Sequence, residues 1–432
     1  MNAQQGGSIA VIGAGIAGLA SARLLQARGH AVTLFEANDY LGGHSCTVDV
    51  TLEGTTAPVD TGFLVYNDRT YPLLIALFED LGIDSTASDM SFSVRVDAQG
   101  LEWSGTSLAA LFAQPRNALR PGFWRMLRDI LRFNAASTAM QRDGRFAADP
   151  ALAALTLGRY LHREGYSAEF RDWYLLPMAA AIWSSPRACI EDFPLQSFVG
   201  FCHNHGLLQI RDRPQWRTVT GGARRYVEKI ASQLSDVRVA TPVAAVQRSA
   251  SGAGPVRVHT AAGSESFAGV VLACHSDQAL ALLSDADAQE RRVLGAIRYQ
   301  ANDVWLHTDA RLLPRVRRAW SAWNYLAADD AQGQRPVAVN YLINQLQVLP
   351  FRTPVIVSLN PPFEPQPAQV LRRQQVMHPL LDAAAVAAQA QMAGLQGRRS
   401  TWFAGAWLGH GFREDGLRSA HRVLEAMERG HG

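Results

Sequence analysis

The sequence predicts an α/β fold, in which a Rossmann-like dinucleotide-binding domain is combined with a discontinuous α+β lobe. Three observations predict it. A βαβ unit with GxGxxG spacing opens the chain, alternating apolar strands follow residue 236, and a long helical stretch rich in Leu, Phe, Trp and Arg lies between. At 432 residues two lobes are the default, because a single apolar core stops growing below this size.

The first element is "IAVIGAGIAGLASARLLQARGHAVTLFEA", which reads strand, turn, helix, strand. Gly13 permits the tight turn, Gly15 lets backbone approach a pyrophosphate, and Gly18 lets the helix pack on the strand. The helix N-terminus offers free N–H groups and partial positive charge to phosphates. Glu36 closes the second strand and can accept hydrogen bonds from ribose hydroxyls.

The continuation "NDYLGGHSCTV" places Gly42 and Gly43 just after that acid. This resembles the second glycine signature of the flavin-dependent amine oxidase and phytoene desaturase superfamily, where E-x(5)-GG marks FAD. The resemblance implies a flavoprotein of the two-dinucleotide-binding-domain type. In the family an arginine usually follows the glycine pair; here it is His44. "VDTGFLVYNDRTYPLLIALFEDLGI" continues the likeness through Asp60, Gly62 and Leu81-Gly82, which implies that Gly62 and Phe63 lie near the flavin. Tyr71 to Leu81 reads as an amphipathic helix.

From about Ser91 the pattern turns helical. No second GxGxxG occurs, so electrons are expected to enter from substrate and leave to oxygen or a partner carrier. In "RPGFWRMLRDILRFNAAS", Trp124, Leu127 and Leu131 recur at helical spacing beside Arg125, Arg128 and Arg132. Residues 115–145 hold seven arginines against two aspartates. Two readings stand: peripheral contact with an anionic membrane, or a solvated face covering a lobe.

"LLPMAAAIWSSPRACIEDFP" and "FCHNHGLLQIRDRPQWRTVTGG" closely resemble a group of bacterial FAD/NAD-binding proteins in the same superfamily. Relatives of that group are encoded beside cyclopropane fatty acid synthases or fused to them. The resemblance implies a lipid acyl substrate and a lipid-modifying partner enzyme. Cys202, His203 and His205 do not match a zinc spacing, so no metal is expected. His203 or His205 is expected to line a substrate cavity.

"TVTGGARRYVEKIASQL" resembles the family's Gly-Gly turn before a helix, and at "TPV" the resemblance implies that Val243 meets the adenine ring. Val270 to Ala273 read as a buried strand. "NDVWLHT", "VAVNYLIN" and "VIVSLN" read as strands of the other lobe, and "NPPFEPQP" as a surface connection. The expected FAD-binding domain spans 1–90, 214–290 and 396–432, and the substrate lobe 91–213 and 291–395.

The chain returns to the cofactor at "FAGAWLGHGFREDGLRSAHRVLEAM". By resemblance Gly405 lets the backbone pass the pyrophosphate and ribityl chain. Asp415, Gly416 and Leu417 open a helix whose amides face the flavin. Trp407, His410 and Phe412 are expected in the cavity wall. Candidates for a part in the chemistry are His205, His410 and Trp407; no catalytic residue is fixed beyond these.

Composition bounds the rest. A formal charge of +3 is too small by itself to argue for nucleic acid, and no nucleic-acid partner is expected. Four scattered cysteines and no recognised signal peptide suggest a reduced, cytosolic protein. No apolar run reaches membrane-spanning length. Lys229 is the only lysine. It sits inside a cofactor-domain helix, whereas amine oxidases of the superfamily keep a lysine near the flavin. The expected function is FAD-dependent removal of hydride from a hydrophobic substrate, with a lipid acyl chain first. The alternatives are an amine oxidase with an atypical site and a non-catalytic FAD-binding partner of a lipid-modifying enzyme.

Overall fold

The computed structural model describes residues 6–183, 187–209, 213–249, 254–328 and 338–430. Short parts of the stretches "LLPMAAAIWSSPRACIEDFP" and "FCHNHGLLQIRDRPQWRTVTGG", 184–186 and 210–212, lie outside the described residues.

The chain opens with β1 (Gly6–Ile12), α1 (Ile16–Ala27) and β2 (His30–Phe35). Helix α2 (Pro72–Leu81) starts on a proline and stops at Gly82 in the left-handed conformation. Next come α3 (Pro121–Arg142), α4 (Leu195–Asn204), α5 (Arg224–Ala231), β3 (Asp236–Arg238) and β4 (Gly269–Leu272). β5 (Thr401–Phe403) and α6 (Arg413–Gly430) close the described chain. Helix α6 therefore starts two residues before Asp415.

β1 to β5 form one five-stranded parallel sheet in the order β3-β2-β1-β4-β5. All four residues of β4 are buried, which explains its unbroken apolar run, since parallel sheets are covered on both faces. On one face α1, α5 and α6 pack Leu19, Leu25, Tyr226 and Val423 into a common core. On the other, a three-stranded antiparallel sheet over residues 243–267 contributes Val246, Val258 and Phe267.

The second lobe is built on a seven-stranded sheet. Its order is Val370–Leu380, Arg298–His307, Ile356–Leu359, Ala338–Leu342, Trp323–Ala327, Phe92–Val96, Leu101–Ser104. The three stretches read as strands lie within it, although "VAVNYLIN" ends in one helical turn at Ile343–Leu346. Helices of the 121–204 region pack Phe133, Phe170, Phe198 and Val199 into a separate core.

Asp60 stitches the two lobes together. Its backbone N–H donates to Gln347 Oε1 at 3.0 Å, and the Gln347 amide donates back to Asp60 Oδ2 at 3.0 Å. The same carboxylate accepts from Thr47 Oγ1 and from the Ala223 N–H ahead of α5. Burial pushes its pKa above the usual carboxylate value while these donors pull it down.

Candidate functional site

The parallel sheet delivers its strand ends to one crevice, where doubly wound folds bind ligands. Gly13 turns there with φ +101°, and a Cβ on it would meet the Ala273 carbonyl at 2.8 Å. A Cβ on Gly18 would land on the Gly13 carbonyl oxygen itself. Gly15 differs: a Cβ there would meet nothing within 4 Å. Gly15 also caps α1 with no side-chain hydrogen bond, and the first turn holds no acid. The uncapped positive end of α1 therefore faces open space.

The second glycine pair is held against the first. Gly42 N–H donates to the Ala14 carbonyl at 2.9 Å, and Gly42 forms a bridge with Gly15. A Cβ on Gly43 would stand 3.3 Å from Gly15 Cα. Glu36 folds back over this turn: Oε2 accepts from Ala14 N–H at 2.8 Å and Oε1 from Asn38 N–H at 3.0 Å. Carboxylate oxygens accept more than one bond each, so capacity for ribose hydroxyls remains. The 240–243 segment packs beside it, with Thr241 N–H donating to the Glu36 carbonyl, which brings Val243 to the same end of the crevice.

His44 follows the pair. Its side chain is accessible at the surface, while the protein packed around it lowers its pKa through desolvation. Two histidines distant in sequence join it: His378 with ring centroids 5.4 Å apart and His275 at 6.0 Å. Asn360 donates to Asn302 Oδ1 at 2.7 Å, so the Asn302 amide nitrogen is turned to His378 Nδ1 at 3.1 Å. Burial holds His275 down to about 4 and His378 to about 3, so these imidazoles are neutral near pH 7. Sequence reasoning found only His44 of this trio. Residues 44, 275 and 378 share no motif, and only folding joins them.

Beyond the crevice lies a pocket of about 400 Å³ lined by Tyr71, His203, His205, His410, Phe412 and Glu414, with Arg69 and Arg418 also in its wall. A line of rings leads to it from the cofactor side. Phe63, at φ +57°, meets Phe412 at 6.1 Å; Phe412 stacks on Phe201 at 5.2 Å; His205 stacks on Phe201 at 3.9 Å. A side chain held at positive φ is strained, and such strain concentrates at functional sites. Gly62 lets the chain pass there, since a Cβ would meet the His44 carbonyl at 2.5 Å. His205 Nδ1 lies 3.0 Å from the Phe201 carbonyl. A carbonyl only accepts, so Nδ1 carries the proton and Nε2 is the ring's acceptor. Burial lowers this histidine to about 4.

The first turn of α6 fixes the pocket. Asp415 Oδ2 accepts from the His410 and Phe412 N–H groups, each at 3.0 Å, and burial raises its carboxyl. Glu414 accepts from Leu73 and Leu74 N–H and thereby caps α2. Arg413 is buried with its guanidinium 4.2 Å from the Phe63 ring and 5.3 Å from that of Tyr226. Gly416 brings α6 onto α1, where a Cβ would meet Ile16 at 2.9 Å, and Leu417 is buried in the shared core.

Trp407 is placed differently from the cavity wall expected of it. It is buried in the core below the sheet, its indole N–H donating to the Cys274 carbonyl at 3.0 Å. The space beside Gly405 is occupied by that indole ring, so the glycine makes room for Trp407. Of the three candidates, His205 and His410 share the pocket and Trp407 does not. Cys202 is fully buried in the helical core, burial holding its thiol well above the usual range, while His203 and His205 line the pocket.

Residues 16–315 match the sequence profile of the flavin containing amine oxidoreductases. The chain belongs to that family. Its cofactor is FAD, and the residues present fit one: an open glycine cradle at an uncapped helix end, an acid at the end of β2, and the accessible His44 beside them. A Mycobacterium tuberculosis protein described as a flavin-containing monoamine oxidase, AofH, is 26% identical over 239 residues, 52% of this chain and 48% of that protein. The chain thus spans about half the length of the curated relatives it matches. A CLA-producing fatty acid isomerase from P. acnes has a similar fold, with TM-score 0.68 and 16% identity over 98% of this chain and 99% of that one. A putrescine oxidase variant is similar to the same degree, at TM-score 0.68 and 16% identity over the same shares.

Proposed function

We propose that this protein is an FAD-dependent oxidoreductase that removes hydride from a hydrophobic substrate, a lipid acyl chain first. The supporting observation is the chain of ring contacts Phe63–Phe412–Phe201–His205, of which Phe412 and His205 face the pocket. Tyr71, Pro72 and Phe412 give the pocket an apolar side for an alkyl chain, and a neutral His205 costs it nothing in desolvated charge, while Arg69, Glu414 and Arg418 make the rest of the wall polar. The shared fold with a fatty acid isomerase is compatible with this reading. A lipid-modifying enzyme as partner remains part of the proposal, resting on the family resemblance.

FAD, when bound, accepts the hydride. In a desaturation one C–H electron pair leaves as that hydride and the neighbouring carbon loses a proton, its C–H pair becoming the new double bond. His205 Nε2 is the acceptor available in the pocket for that proton. His410 and Phe412, pinned through Asp415, hold the chain in place.

A second reading, amine oxidation, draws support from Glu414 and Asp415, whose carboxylates border the pocket and suit a protonated amine. Against it, the single lysine lies exposed on α5. Anaerobic mixing of the yellow protein with phospholipid and, separately, with diamines decides. Bleaching of the flavin by lipid and not by amine is expected. Bleaching by amines alone would sink the lipid reading, and no bleaching by either would favour a non-catalytic role. His205→Gln should slow lipid-driven bleaching at least tenfold with FAD content unchanged.

A further inference from the structure

Four of the nine large apolar side chains exposed among the described residues fall close together: Leu108 at 77%, Leu119 at 85%, Trp124 at 52% and Leu131 at 57% exposure. They are adjacent in space as well as in sequence. Trp124 stacks near Phe112, one turn from Leu108, at 5.8 Å, and its indole N–H is tied to the Ala118 carbonyl beside Leu119. Along α3 the outward stripe runs Trp124, Arg128, Leu131, Ala135, while Phe123, Met126, Phe133 and Met140 are buried on the other side.

The charge on this face has one sign. Between Gly105 and Arg132 the exposed charged residues are Arg116, Arg125, Arg128 and Arg132, and no carboxylate of that span is exposed; beyond it Arg142 pairs with the exposed Asp143 at 2.7 Å. Asp129 lies at 0% exposure beneath Arg128 and Arg132, and Glu169, which pairs with Arg125, is largely covered. Guanidiniums thus stand above their counter-charges, surrounding bare leucine and tryptophan. A two-fold contact between copies would set these arginines against each other. A polyanion alone would leave the leucines without a partner.

We propose that this face docks on an anionic phospholipid membrane, with Leu108, Leu119, Trp124 and Leu131 entering the acyl boundary and the arginines meeting headgroup phosphates. The inference does not depend on the lipid reading of the pocket, although the two connect. A shallow groove of about 460 Å³ along α3, between Leu131 and Arg142, has Leu208 as its far wall. Leu208 belongs to the turn whose His205 and Gln209 line the candidate pocket. Docking would bring the rim of the pocket to the lipid.

Co-sedimentation of the FAD-loaded protein with unilamellar vesicles tests it. Vesicles of phosphatidylglycerol and phosphatidylcholine should carry the protein down, and phosphatidylcholine alone should carry at least tenfold less. Leu119→Ser/Leu131→Ser and Arg128→Glu, all at exposed positions, should each reduce partitioning at least tenfold with the flavin spectrum unchanged. No sedimentation with anionic vesicles overturns the proposal. So does equal partitioning onto both vesicle types, or binding lost with Arg128→Glu yet indifferent to the leucine changes, which would mark a polyanion such as nucleic acid. Concentration-dependent dimerisation without lipid that the leucine variant abolishes would assign the face to a second copy instead.

Discussion

At the cofactor cradle, Gly13, Gly15, Gly18, Gly42 and Gly43 act through the side chains they lack; at the pocket, Tyr71, His205, His410 and Phe412 act through the side chains they carry. The cradle would hold the cofactor through backbone amides at an uncapped helix end, so its requirements are local and its tolerance is small. The pocket is assembled from segments near 69–72, 201–209 and 410–418, so its requirements are distributed over the fold. The comparison teaches that affinity for the cofactor and choice of substrate can be altered separately.

The sharpest way to break that comparison is a pair of substitutions within the cradle itself. Gly18→Ala forces a methyl onto the Gly13 carbonyl, backbone against backbone, and should cost about 3 kcal/mol or more of folding stability. Chemical denaturation of the cofactor-free protein reads it, and retained stability would mean that the turn can give way. Gly15→Ala places its methyl in open space, so the smallest of the three effects discussed here belongs to it. FAD affinity should fall about tenfold, or 1.4 kcal/mol, with cofactor-free stability unchanged. A loss of stability equal to that of Gly18→Ala would show that Gly15 is structural.

A pH effect separates the pocket from the rest of the fold. His205 and His307 are each held by burial at about 4 when folded, against 6.5 for an unperturbed imidazole. His307 is wholly buried, with Nε2 2.7 Å from Ser358 Oγ and Nδ1 accepting from Asp309 N–H. As pH falls below 6.5 the unfolded chain takes up protons that the folded chain refuses. Their contribution is therefore complete above 6.5 and is lost as pH drops toward 4, by up to about 1.4 kcal/mol per pH unit for each histidine. Denaturation midpoints across pH 7 to 4.5 should fall accordingly. His307→Gln should flatten the slope without touching flavin reduction, whereas His205→Gln should change both. A slope insensitive to either substitution would refute the assignment.

What could be read in the sequence follows the same division. The GxGxxG turn, the acid at Glu36 and the second glycine pair were legible because each meets a backbone requirement within a few dozen residues. The apolar run of β4 was legible because burial on both faces leaves a continuous signature. The His44–His275–His378 cluster was not, since a turn, a helix start and a strand that meet only after folding leave no spacing to detect. Trp407 was misjudged for a related reason. Aromatic residues among glycines look like a cavity wall whether the rings point to the cofactor or, as here, inward against Cys274. In the sequence Asp415 reads as part of the opening of the last helix, and only the fold reveals that it ties the 410–412 turn and that its neighbour Glu414 caps α2.

The solitary lysine has a practical meaning as well as a chemical one. Lys229 is exposed on α5, a helix of the cofactor domain, and it supplies the sole side-chain amine in 432 residues. An amine-reactive dye therefore marks one side-chain address. Its distance from a labelled vesicle would report which way up the molecule sits.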